Sequence, residues 1–147
     1  MFTISCFIEN NNLELVEKLE NLGYINCSNC HSFDEKYLIA FKGEYLSDNN
    51  IDSLSKERWV NCGTNEELFL AIAALRDDSD KNQWFVTEKE KHWVQWFVTE
   101  KEKYWVNQGT FMPIGSFIFS YVDNYSKYDK EVHKASVEEL IQYFKNE

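Results

Sequence analysis

Proline occurs once in 147 residues and glycine five times. That scarcity excludes proline-rich spacers and flexible glycine linkers between domains, so one domain spanning 1–147 is expected. Nowhere does an apolar run approach the roughly 18 residues of a membrane span. The first ten residues, M-F-T-I-S-C-F-I-E-N, have no basic n-region and no long apolar stretch. No signal peptide is expected from them. The four cysteines, Cys6, Cys27, Cys30 and Cys62, are therefore expected as reduced thiols in a cytoplasmic protein. A glycine-rich phosphate loop is missing, and none of His31, His92 and His133 adjoins a Ser or Cys elbow. No catalytic constellation and no cofactor are expected. Positive charge is also short, with 15 basic residues against 25 acidic and a net charge of −10. Phosphates are neutralised by Lys and Arg, so direct nucleic-acid or anionic-membrane contact is disfavoured. The balance suits a basic protein partner, or solubility alone.

Aromatic and apolar residues are plentiful, at 16% and 44%. The pattern predicts an α+β fold with a mainly antiparallel sheet and three capped helices. Residues 2–8 alternate as a half-buried strand. One of Asn10, Asn11 and Asn12 then caps a helix carrying Leu15, Val16, Leu19 and Leu22, with Gly23 at its end. Short strands are predicted at 24–27, 37–41 and 59–62, with a returning strand starting at Tyr45. Thr64 and Glu67 have capping-box spacing ahead of a central buried helix at about 65–76. That helix is apolar nearly all round, so it must be covered on more than one side. Ala71 and Ala74 are small enough to admit a neighbour closely. Further on, 117–122 and 132–134 read as strands, 123–130 as polar loop, and Ser136 with Glu139 as a second capping box. Val137, Leu140, Ile141 and Phe144 form the last helical stripe.

One feature is unusual. Residues 83–94 read Q-W-F-V-T-E-K-E-K-H-W-V, and residues 95–106 read Q-W-F-V-T-E-K-E-K-Y-W-V. Eleven of twelve positions agree, and only His92 and Tyr104 differ. The pattern reads as a tandem duplication, natural or engineered. Twelve residues are about 3.3 helical turns, so helical copies would share no face. An even period keeps strand parity, and Trp, Phe, Val and Thr favour strands. A β-meander is predicted: strand 83–87, loop 88–91, strand 92–99, loop 100–103 and strand 104–106. Equivalent copies specify register weakly, which suggests a homodimer formed through the duplicated hairpin.

Three groups of side chains are candidates for function. Cys27, Cys30 and His31 spell C-x-x-C-H, a haem-attachment pattern that would need export. Zinc is the other metal reading, with Cys6 or Cys62 as a fourth ligand. The set is a weak candidate, because no second ligand pair follows and adjacent Cys30 and His31 seldom share an ion. Asp77, Asp78 and Asp80 follow the central helix, where carboxylates oppose the helix dipole. Either Arg76 and Lys81 compensate locally, or a basic partner does. Around the repeat, Trp84, Trp93, Trp96, Tyr104 and Trp105 exceed what one face of a small sheet can bury. Exposed Trp and Tyr serve as interface anchors.

Two segments, C-G-T-N-E-E-L-F-L-A-I-A-A-L-R-D-D-S-D-K-N-Q-W-F (62–85) and H-K-A-S-V-E-E-L-I-Q-Y-F (133–144), resemble small acidic proteins of Bacteroidetes phages and mobile elements. The resemblance covers mainly the second half of the chain. It implies one Q-W-F…W-V hairpin between helix and tail, so the second copy is a departure. The resemblance implies origin and brings no catalytic residues. From that origin follows a protein-binding role, for instance as an acidic, anti-CRISPR-like inhibitor occupying the basic groove of a host nucleic-acid-handling defence enzyme. The alternatives are a small-ligand or nucleotide binder with a tryptophan-lined pocket, and a duplication variant whose function is incidental.

Overall fold

The alternation at the start of the chain forms regular strand only over Cys6–Ile8 (β1), where all three residues are buried. The computed structural model describes residues 1–27, 35–49, 59–98 and 103–145, with backbone alone over 91–98 and 103–111. Upstream of β1, Phe2 makes an isolated bridge to Arg76, and the Thr3 amide donates to the Leu75 carbonyl at 3.1 Å. Those residues tie the start of the chain to the end of the central helix.

Helix α1 (Leu13–Leu22) begins at Asn12, whose side chain accepts from the Leu15 amide at 2.8 Å. It ends at Gly23, in the left-handed region at φ 115°, which glycine adopts without a Cβ penalty. Strands β2 (Ile25–Asn26), β3 (Tyr37–Phe41), β4 (Glu44–Asp48) and β5 (Val60–Asn61) join β1 in one sheet, ordered β2-β4-β3-β1-β5. β1 is antiparallel to β3 and parallel to β5, while β2 is parallel to β4. This sheet is therefore mixed, rather than mainly antiparallel.

The central helix, α2, runs Glu66–Ala73. Its cap is Asn65, one residue after the expected Thr64; the Asn65 side chain accepts from the Leu68 amide at 3.0 Å. The physical reason is tertiary. Asn65 also donates to the Phe144 carbonyl at 3.3 Å, joining the start of α2 to the end of the last helix. At its other end, the buried Tyr24 hydroxyl donates to the Ala73 carbonyl at 2.7 Å. Leu68, Phe69, Ala71, Ile72 and Ala73 are all buried, as an all-round apolar helix requires. α2 packs against β1, α1 and the last helix, at Val137–Lys145. Full burial of a side chain such as Phe69 or Ile72 contributes about 1.5–3 kcal/mol.

Strand β6 (Gln83–Thr87) pairs with β9 (Phe117–Ser120) on one side and β10 (Val132–Lys134) on the other, both antiparallel. Between β9 and β10 stands α3 (Tyr125–Tyr128), a short helix where only loop was expected, so the described chain has four helices rather than three. The last helix, α4 (Val137–Lys145), has the predicted capping box. Ser136 Oγ accepts from the Glu139 amide at 3.2 Å, and Glu139 Oε1 accepts from the Ser136 amide at 3.0 Å.

The meander is not formed. β7 (Lys91–Val98) and β8 (Lys103–Met112) pair with each other as a separate two-stranded sheet, and β6 belongs to the three-stranded one. A strand identified by its period does not name its partner, and β6 pairs with β9 and β10 instead. Within the hairpin, Lys91, His92 and Trp93 pair with Met112, Phe111 and Thr110. The register then shifts between Trp93 and Val94, and Val94–Val98 pairs with Asn107 back to Lys103. Residues 99–102, most of the second predicted loop, lie outside the described residues.

Candidate binding cleft

Period-two alternation puts Phe117 and Phe119 on one face of β9, opposite Val86 and Trp84 of β6. Helix α4 crosses this face and adds Tyr143 and Phe144. The rings form a continuous set. Trp84 and Phe119 meet edge-on at 5.0 Å, Trp84 and Tyr143 are tilted to each other at 5.6 Å, and Phe117 stacks on Tyr143 at 4.1 Å. Such pairs are worth about 0.5–1.5 kcal/mol each beyond burial. Phe117, Trp84 and Phe119 remain half-buried, and Tyr143 is 37% exposed. Tyr121 is 77% exposed and continues the row at 4.9 Å from Phe119.

Tyr143 separates two grooves. One, of about 420 Å3, is lined by Trp84, Phe119, Tyr143 and the small side chains of Ala71 and Ala74, with Glu67 and Asn82 as polar members. Its neighbour, of about 430 Å3, is lined by Val86, Phe117 and Tyr143, with Glu138 and Glu139. The charged residues lining both grooves are thus carboxylates. Neither groove presents a nucleophile beside a base. The arrangement is suited to binding apolar groups between flat rings and attracting positive charge at the margins.

The acidic loop after α2 is engaged internally. Asp78 holds the Arg76 guanidinium through both oxygens at 2.6 and 2.9 Å, and lies 2.5 Å from the Met1 amino group. Those partners hold its carboxyl well below the usual range. Asp77 also pairs with the Met1 amine, at 3.1 Å. Asp80 is buried, and its Oδ2 accepts from the Ser126 amide at 2.9 Å and hydroxyl at 2.7 Å. Compensation at this helix end comes from Arg76, the Met1 amine and Lys134 of β10, rather than from Lys81. Arg76 also lies over the Phe2 ring, 4.8 Å from its centroid.

Cys6 is buried on β1 and Cys62 is buried just after β5, and burial pushes the Cys6 thiol up, with the Cys62 sulfur beside it acting in the same direction. Cys27 is half-buried, its amide bonded to the Tyr45 carbonyl at 2.9 Å. Cys30 and His31 lie outside the described residues. Among the described residues, no three His, Cys, Asp or Glu side chains are grouped to hold a metal, and no helix is long and apolar enough to cross a membrane.

Of the aromatic residues singled out from the sequence, the cleft contains Trp84. Trp93, Trp96, Tyr104 and Trp105 fall on the β7–β8 hairpin, with Trp96 opposite Trp105 and Phe97 opposite Tyr104 in the register. Sequence reasoning missed Phe117, Phe119 and Tyr143. The alternating F-I-F-S carried part of the signal, but it reads equally well as a strand with one buried face. No protein-family model matches the chain, and neither does any curated protein or solved structure.

Proposed function

We propose that this is a non-enzymatic binding protein whose working surface is the aromatic cleft of β6, β9 and α4, and whose target is a protein with a basic surface. One observation carries the reading. Half-exposed rings are fixed on regular elements and open onto two grooves whose charged lining residues are all carboxylates. Rigid aromatics anchor an interface at low entropic cost, and acidic margins steer a basic partner. The net charge of −10 acts in the same direction. An origin in a phage or mobile element fits the resemblance of residues 62–85 and 133–144. It makes a nucleic-acid-handling host enzyme in the cytoplasm the first target to try.

The test is capture from host lysate on immobilised protein. The wild type should retain a basic protein at low salt, lose most of it at high salt, and lose it in Tyr143→Ala. Empty beads at low salt would sink the proposal. A small-ligand reading is favoured by one specific observation, the groove of about 420 Å3 beside Trp84, a volume within the usual range for such sites. Quenching of tryptophan fluorescence by one member of a nucleotide panel, absent from Trp84→Phe, would support it.

A further inference from the structure

Among the described residues β9 is the outer strand of its sheet, and the hydrogen bonding of β6 reveals which of its groups face outward. Along β6, Thr87 donates to the Ser116 carbonyl, toward β9. Trp84 accepts from the Ala135 amide and Glu88 donates to the Glu131 carbonyl, both toward β10. Odd-numbered residues of β6 thus serve β9, and even-numbered ones serve β10. Because Phe85 is opposite Ile118 and Gln83 opposite Ser120, the inward groups of β9 belong to Ile118 and Ser120. The amides and carbonyls of Phe117 and Phe119 therefore point away from β6, to the outer side. These are the same two residues whose rings line the grooves on either side of Tyr143.

That coincidence defines an occupant. A segment added antiparallel to β9 would exchange hydrogen bonds with Phe117 and Phe119. Residues directly opposite one another in such a pair share a face. Two of its side chains, at i and i+2 and about 6.6 Å apart, would then lie over the aromatic face, one at each groove. Glu67 stands at one groove, and Glu138 and Glu139 at the other. We propose that β9 takes up an extended segment of a basic protein as an additional strand, with apolar side chains two apart and Lys or Arg flanking them. This rests on the binding role above and specifies how the partner is held. A second copy of the chain fits less well, because joining two β9 edges would bring both sets of carboxylates together. A polyproline segment fits less well too, since prolines have no N–H to give the outward carbonyls.

The test uses the intact protein and a fluorescein-labelled peptide, K-K-V-T-F-K-K, followed by anisotropy and by amide hydrogen exchange. Binding is expected, with exchange at the Phe117 and Phe119 amides slowed about tenfold or more. N-methylation of the peptide's valine and phenylalanine should weaken binding at least about tenfold, and so should replacing its lysines with glutamates. Unchanged exchange at Phe117 and Phe119, or equal affinity after N-methylation, would overturn strand addition. So would failure of the parent peptide to bind. If lysate capture still depends on Tyr143 in that event, the binding role stands and only the strand mode falls; if capture fails as well, both fall.

Discussion

The ammonium of Lys134 stands 3.3 Å from the carboxylate of Asp80. It also donates to the carbonyls of Arg76 and Ser79, at 3.0 and 3.1 Å. A cation from β10 thereby supplies what the last turn of α2 lacks. Asp80, for its part, receives the Ser126 amide at the start of α3. The acidic loop is a joint between α2, α3 and β10.

Asp80→Asn should accordingly cost about 1–3 kcal/mol in urea unfolding, since it leaves Lys134 without its counter-charge in a partly buried site. Lys134→Met should cost a similar amount. The double variant should lose less than the sum, because the two share one interaction. Simple additivity would show that the pair is not coupled.

Acid should weaken the fold. Burial alone would raise the Asp80 carboxyl, but the Ser126 and Lys134 contacts outweigh it and hold the group below its ordinary value. Glu139 is likewise held low, against burial, by the Ser136 amide and His133. A lowered folded value means stability that is present above the unfolded value, about 4 for these carboxyls, and lost as pH falls through the folded one. Unfolding free energy measured from neutral pH downward should fall below about pH 4, and less steeply in Asp80→Asn.

The cap of α2 separates two neighbouring candidates. Asn65→Ala should cost about 1 kcal/mol, or roughly 2–4 °C in melting temperature, whereas Thr64→Ala should cost little. The same loss is expected for Ser136→Ala at α4. Thermal melts of the three variants suffice, and equal losses at 64 and 65 would place the cap wrongly.

How much of this could be read from the chain depends on where each determinant lies. Strands at 37–41, 83–87 and 132–134 are where alternation and boundary residues placed them. The Asn12 and Ser136–Glu139 caps were legible because their partners lie within three residues. The Asn65 cap was less so, since its second partner, Phe144, is far along the chain. Helix α3 depends on Asp80, forty-six positions from Ser126. Local pattern cannot show such a contact. The cleft was half legible. Ala71 and Ala74 stood out as small, and Trp84 as surplus. Phe117 and Phe119 read as positions of an ordinary strand, and Tyr143 stood outside the last helical stripe, until folding set them side by side.

Deleting residues 95–106 should leave the fold intact. Lys91, His92 and Trp93 would keep their partners at Met112, Phe111 and Thr110, and Val94, Asn107, Gln108 and Gly109 would form the connecting turn. Circular dichroism and urea unfolding should show one cooperative transition, displaced by no more than about 1 kcal/mol. Loss of cooperative unfolding would mean that the hairpin end supports the rest.

The tetrapeptide Q-W-F-V occurs twice, as the start of β6 and near the end of β7. Both occurrences are extended, yet among the described residues the first has strands on both flanks and the second on one. Spelling is held constant while surroundings change. Any disparity between Val86 and Val98, in amide exchange or in tolerance to replacement, is then a measure of neighbourhood alone. Two unrelated proteins rarely permit so clean a comparison; here a single polypeptide provides both arms.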